Sequence, residues 1–352
     1  MNQEAICELK NNEVSDASVM ALVPIVSAYM LTYNHAQYIE QAIKGILQQS
    51  IDFPFELVIG EDCSTDGTRE IVFEYQKKYP NIIRVITSDN NIGMMNNSTR
   101  TLQACRGKYI AFCEGDDYWI DPLKLQKQVD FLEANVEYGL CCTDFNIFWQ
   151  TQQKMDKAQF KTNPSRFPIL TNVEDFLERE GYMAPCTWVG RNNLFKNNNL
   201  DENCVDGTYA IMLDILATSK VHVIPQVTAV YRYLDESASH TKSITKAFIR
   251  YKGLFEIQNK YIEKYNLSLE LKNKVKLNFY NKITDLIITS KGSVESEFFI
   301  GLLKEDPQNL INVLIFRINF YENKFLEIRN SKKYRLGHFV LQPIKKLFHL
   351  VK

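Results

Sequence analysis

The sequence lacks most of the signals that narrow a function at first reading. Its eight cysteines, at 7, 63, 105, 113, 141, 142, 186 and 204, include no CxxC pair and no spacing that suits zinc. This excludes a zinc ribbon or a paired redox motif and fits buried thiols in a reducing cytosol. The five histidines show no metal spacing either, and only His35 and His240 are kept in view. No run approaches the ~18 apolar residues of a membrane-crossing helix. The opening stretch, MNQEAICELKNNEVSDAS, has no basic start followed by an apolar segment, so no secretory leader is expected and the protein should stay cytoplasmic. The formal net charge of -1 gives no global field toward nucleic acid, and no nucleic-acid partner is expected. Internal repeats and low-complexity tracts are also missing.

What is present is an ordinary globular composition, 45% apolar and 24% charged over 352 residues. That length suits one large domain with an appended one, or two moderate domains. Residues 1–21 are polar and read as a loose arm. Val26–Thr32 (VSAYMLT) is an apolar run of strand formers. Behind it, Tyr38, Ile39, Ala42, Ile43, Ile46 and Leu47 recur at helical spacing. A second strand, Phe55–Gly60, runs into the turn-rich EDCSTDGT, where Asp66 reads as the cap of a helix starting near Gly67. A third strand at 82–87, a helix over about 97–105 and a fourth strand at 108–113 follow. Four strand–helix alternations predict an α/β fold with a parallel sheet flanked by helices, and ligands in such sheets sit beyond the carboxyl ends of the strands. Three polar clusters fall there: Thr32–Asn34, Glu61–Asp66 and Glu114–Asp117. Residues 140–235 are mixed in character. From about 241 to 330 the pattern is helical, with Asp306-Pro307 as a cap and first-turn proline.

In EGDDYW, Glu114, Asp116 and Asp117 place three carboxylates in four positions just after an apolar strand. Their repulsion would be relieved by a divalent cation, and hard oxygen ligands suit magnesium or manganese. The alternative is a solvated acidic turn ahead of the helix near Asp121-Pro122. Asp62, at the end of another strand, could accept hydrogen bonds from a nucleobase, whereas Asp66 also suits an Asx turn.

Three runs taken together, VSAYMLTYNHAQYIEQAIKGILQQS, FELVIGEDCSTDGT and NNIGMMNNSTRTLQACRGKYIAFCEGDDYWIDPLKLQKQV, resemble the catalytic half of the family-two inverting glycosyltransferases. The resemblance is close over about 24–135 and weaker to about 235. It implies the GT-A fold, Rossmann-like with a mostly parallel central sheet, over 22–238. Residues 22–135 would form the nucleotide-sugar half and 136–238 the acceptor half. A helical region over 239–330 and a basic tail over 331–352 would follow. By the same resemblance Thr32, Tyr33 and Asn34 border the base and ribose of the donor, and Glu61, Gly93 and Asn97 belong to the same donor site. Asp62 binds the nucleobase. Glu114-Gly115-Asp116 matches the DxD metal motif, with Asp116, helped by Glu114, as ligand to manganese or magnesium, and Asp117 is the acidic residue that often follows. Glu61 and Glu114 depart from the family's usual Asp but keep a carboxylate.

An inverting transfer needs a general base to take the acceptor hydroxyl's proton. Asp206, before Gly207-Thr208-Tyr209, resembles the family's base; a helix cap is the alternative, and Asp214 is a weaker candidate. Arg232 suits a phosphate clamp or a partner of the base, and equally a salt bridge within the fold. Trp188 could stack on a sugar ring or fill the core. The partners implied are a nucleotide-sugar donor, UDP-linked by expectation, and a glycan or lipid-linked acceptor of surface polysaccharide synthesis. The tail has six Lys or Arg and no acid, with Ile344, Leu347, Phe348 and Val351 on one face. This is the pattern of a peripheral anchor at the inner face of the cell membrane, or of a helix docked on protein. The helical last third offers faces for a homo-oligomer. Two other readings are a nucleotidyltransferase, disfavoured because LTYNHAQY holds no glycine, and a non-catalytic binding protein, disfavoured by the carboxylates at 62, 116 and 206.

Overall fold

The computed structural model describes residues 12–16, 18–20, 23–196, 204–235, 237, 241 and 243–289, and the single positions 304, 311, 313, 315, 323, 326 and 329. Asp306-Pro307 and the tail over 331–352 lie outside the described residues. The first half runs β1 (Asn12–Val14), β2 (Val26–Thr32), α1 (Ile39–Leu47), β3 (Phe55–Glu61), α2 (Thr68–Lys78), β4 (Ile83–Thr87), α3 (Met94–Ala104) and β5 (Tyr109–Phe112). Strands β2 to β5 are buried almost throughout, which is why they read as continuous apolar runs without alternation. They lie side by side in the order β4-β3-β2-β5, all parallel, with Thr32 opposite Glu61.

Helix α1 buries Ile39, Ala42, Ile43 and Ile46, the face its periodicity predicts. Asp66 acts at the start of α2, but from one position further back than the sequence suggests. The N-cap is Gly67, at φ 101°, while the Asp66 carboxylate accepts from the Thr68 backbone N–H at 3.0 Å and from Ala36 N–H at 3.0 Å. Residues 12–14, read from the sequence as part of a loose arm, instead form β1, antiparallel to β4. The cause is Arg84 on β4, which donates to Glu13 at 2.8 Å and to buried Glu56 at 3.1 Å.

The second half contains β6 (Tyr118–Trp119), α4 (Lys124–Ala134), β7 (Tyr138–Trp149), β8 (Lys154–Asp156), α5 (Gln159–Thr162) and α6 (Val173–Glu178). A 3-10 turn at Pro185–Thr187 leads to β9 (Val189–Arg191), α7 (Asn192–Lys196), α8 (Gly207–Thr218), β10 (Lys220–Tyr233), α9 (Ile244–Lys264) and α10 (Leu269–Thr289). Among the described residues one ten-stranded sheet runs β1-β4-β3-β2-β5-β9-β7-β10-β6, with β8 on β7. The short β9 is antiparallel to both β5 and β7, and β10 is parallel to β7 across a long ladder with register shifts.

The chain divides into two compact units, residues 1–242 with 256–272, and residues 243–255 with 273–352. In the first, the end of α9 is tied to α8: Tyr261 and Tyr265 donate to Asp214 at 2.7 and 2.5 Å, and Lys264 pairs with the same carboxylate. In the second, Phe248, Phe279, Tyr280, Ile283 and Val313 form an apolar core, with Phe255 stacked on Phe279. Among the described residues no helix is long and apolar enough to cross a membrane.

Candidate functional site

Parallel strands place their carboxyl ends on one edge, and here three acidic or polar loops meet there. Beyond the end of β5 the pairing with β2 continues, Cys113 N–H donating to Tyr29 O at 3.0 Å and Gly115 N–H to Leu31 O at 2.8 Å. This lays the turn Glu114–Asp117 against Thr32 and His35. A Cβ on Gly115 would lie 2.8 Å from Thr32 Oγ1 and 2.9 Å from His35 Nδ1, so the middle residue of the acidic triplet has no room for a side chain. His35, left without a role at the level of sequence, thus forms a wall of the site, its Nδ1 3.4 Å from Thr32 Oγ1.

Within the turn, Glu114 Oε2 is buried with no hydrogen-bond partner. Burial, and then the Asp116 carboxylate beside it, push Glu114 up to about 7. Asp117 is also buried, and its carboxyl is pushed well above the usual range by desolvation and by Asp116 and Glu114. The Asp117 side chain is held from within the fold: its Oδ1 accepts from the Arg232 backbone N–H at 2.8 Å. The side chain of Arg232 makes internal contacts. All three guanidinium nitrogens are engaged by protein, Nε with the Asp116 carbonyl, Nη1 with Gln150 Oε1 and Nη2 with Gln41 Oε1, each at 2.7 Å. With the ring of Tyr38 under it at 4.7 Å, Arg232 braces the acidic turn.

The second cluster forms at the end of β3. Glu61 is fully buried and accepts from Cys63 N–H at 3.2 Å, Ser64 N–H at 2.6 Å and Thr87 Oγ1 at 3.0 Å. Its expected place at the donor is therefore corrected, because its oxygens fold the loop from within. Asn97 turns inward too, donating to Gly60 O at 2.8 Å and accepting from Arg100 Nε at 2.9 Å. Asp62 accepts Ile92 N–H at 2.9 Å on one oxygen and Gly93 N–H at 3.0 Å on the other. Each oxygen keeps a further lone pair. Gly93 holds φ +83° at the start of α3. Asn34, at φ 55°, accepts Thr65 N–H at 2.9 Å and so clips the two loops together. Asp62 N–H donates to Thr32 O at 3.2 Å, which joins this cluster to the acidic turn. Tyr33 stands exposed at the strand end.

Asp206 sits on another element. It is the N-cap of α8, accepting from Tyr209 N–H at 3.0 Å and Thr208 Oγ1 at 2.8 Å. Trp188 belongs to the core, 2% exposed, with its indole N–H on Met183 O and its ring against Phe112. Asp214 is taken up by Tyr261, Lys264 and Tyr265. Among the described residues no three His, Cys, Asp or Glu side chains converge as a complete metal set. The orphaned Glu114 oxygen next to Asp116 is the feature of this turn that suits a cation.

Comparison with known proteins agrees with this geometry. The profile described as Glycosyl transferase family 2 matches residues 27–197. An uncharacterized protein of Mycobacterium tuberculosis is 32% identical over 212 residues, 59% of this chain and 58% of its own length. The putative teichuronic acid biosynthesis glycosyltransferase TuaG of Bacillus subtilis is 34% identical over 135 residues, 38% of this chain and 52% of its own. The chain thus spans little more than half the length of these relatives. Among solved structures, S. aureus TarS in complex with UDP-GlcNAc superposes with a TM-score of 0.54 at 16% identity, covering 85% of this chain and 92% of that one. A mannosyltransferase from Pyrobaculum calidifontis, in complex with GDP-Man and Mn2+, superposes with a TM-score of 0.54 at 14% identity over 89% and 90%. Residues 27–197 thus match glycosyl transferase family 2, and they are set on a GT-A fold.

Proposed function

We propose that the protein transfers a sugar from a nucleoside-diphosphate sugar, UDP-linked, to a hydroxyl of a glycan or lipid-linked acceptor, with inversion at the anomeric carbon. The observation that carries this is the Glu114–Asp117 turn at the carboxyl edge of the sheet, where a buried carboxylate oxygen has no partner and a second carboxylate stands beside it. In this reading Asp116 and Glu114 would hold a manganese or magnesium ion. Such an ion would supply positive charge against the diphosphate. Asp62 reads the base with the lone pairs left over from Ile92 and Gly93, and exposed Tyr33 offers a face for it. Arg232 keeps the acidic turn in place. Asp206 takes the acceptor's proton, the acceptor oxygen forms the new glycosidic bond, and the bond to the diphosphate breaks.

Peripheral contact of the 331–352 tail with an anionic membrane surface belongs to the same reading, supported by its six basic residues and lack of acid. The test is release of free nucleoside diphosphate from a panel of nucleotide-sugars, with and without manganese. Asp116→Ala should lower release by about 10²–10³-fold and remove the manganese dependence of UDP binding. Unchanged release would overturn the assignment of the turn.

A further inference from the structure

Outside the acidic turn, α1 and β6 border an open cleft of about 460 Å³. That is within the ~300–1,000 Å³ of small-ligand sites. Its floor is backbone: a Cβ on Gly45 would stand 2.7 Å from the Trp119 carbonyl, so the helix lies directly on the strand. One wall is the exposed face of α1, with the amides of Gln41 and Gln48 and the exposed ion pair of Glu40 with Lys44 at 2.9 Å. The other wall is Tyr118 and Ile120, the latter 46% exposed.

The chemistry of this lining is specific in kind. The Glu40–Lys44 pair cancels its own charge, so the cleft offers no net field to a phosphate or a nucleotide. The exposed Gln48 amide pairs a donor with an acceptor, as adjacent hydroxyls require, while the Gln41 amide is already engaged by Arg232 and Tyr118. Tyr118 and Ile120 provide the apolar surface on which the C–H face of a sugar ring can rest. The cleft is also wired to the site. Gln41 accepts from Arg232 Nη2, and Arg232 Nε donates to the Asp116 carbonyl, each at 2.7 Å. A ligand that draws on Gln41 therefore acts on the brace of the acidic turn.

We infer that this cleft binds a neutral sugar unit, and that the unit belongs to the acceptor glycan at a distance from its reacting hydroxyl. The assignment to the acceptor rests on the glycosyl-transfer reading above; the sugar site itself does not. The full chain is applied to a printed array of neutral and uronic-acid-containing oligosaccharides, beside Gln48→Trp and Ile120→Arg, two substitutions of exposed residues that fill the cleft. UDP binding with manganese is measured on all three by calorimetry. Binding of neutral oligosaccharides should fall by about tenfold or more in both variants, a loss of about 1.4 kcal/mol, while UDP affinity stays unchanged. Absence of neutral-glycan binding, preference for the acidic glycans, or equal binding by the filled variants would each overturn the proposal. If the glycans bind through the cleft but no nucleotide-sugar is split, the sugar site stands and the transfer reading falls.

Discussion

At the scale of single residues, the site depends on two positions where the neighbours leave no choice. Gly115 has Thr32 and His35 within 3 Å of where a Cβ would stand, so Gly115→Ala must push the acidic turn off the strand end. The expected result is loss of nucleotide-sugar cleavage with the fold kept, by circular dichroism. Partial recovery in Gly115→Ala with His35→Ala would confirm His35 as the wall. Lys124 is the second position. It is fully buried, bonded to Gln128 Oε1 at 2.7 Å and set 4.5 Å from the Trp119 ring, and burial brings its ammonium down to about 8. The folded state therefore binds fewer protons than the unfolded chain between about 8 and the ordinary lysine value, and stability from this group rises with pH across that window. Below it the buried charge costs about 3–4 kcal/mol. Lys124→Met should melt higher than the parent at pH 7, and the gap should narrow by pH 10. A gap independent of pH would show that the charge is not the cause. The composition of the sequence conveys none of this, because a lysine at 124 reads as an exposed helix residue until Trp119 and the Thr187 carbonyl are seen beside it.

At the scale of elements, α8 separates two roles of one carboxylate. Asp206 caps the helix through the Tyr209 N–H, and Asn caps about as well as Asp. Asp206→Asn should therefore keep the melting temperature and UDP binding while abolishing transfer. Asp206→Ala should lose transfer and also about 1 kcal/mol of stability. If Asp206→Asn turns over normally, the residue is a cap alone. The strand–helix alternation of the first half was legible because β2, β3, β4 and β5 are mostly apolar and α1 carries one apolar face. β9 and β6 were not, since strands of three and two residues carry too little periodicity to register. β1 was hidden for another reason: its residues are polar and exposed, and only the Arg84–Glu13 pair and the edge of β4 hold them.

At the scale of the whole molecule, the boundary after residue 238 suggested by the sequence does not coincide with the compact unit, which takes back residues 256–272. Gln258 donates to the Leu177 carbonyl at 3.0 Å, and Tyr261, Lys264 and Tyr265 surround Asp214. A chain ended at 238 should melt about 4–8 °C below one ended at 289, as expected for losing ~2 kcal/mol in a protein of this size; equal midpoints would show that the end of α9 adds nothing. The sequence by itself determined the α/β class, the order of the first four sheet strands' motifs and the three acidic or polar loops at one sheet edge, because local periodicity and turn chemistry are written in neighbouring residues. Which carboxylates face outward was decided only by the tertiary structure. Glu61, Asp62 and Asp117 look like Asp116 in one dimension, but the first three are buried and take backbone N–H groups, those of Ser64, of Ile92 with Gly93, and of Arg232, whereas Asp116 is only half-buried. Such contacts join residues as far apart as Asp117 and Arg232, and a pattern of near neighbours holds no record of them.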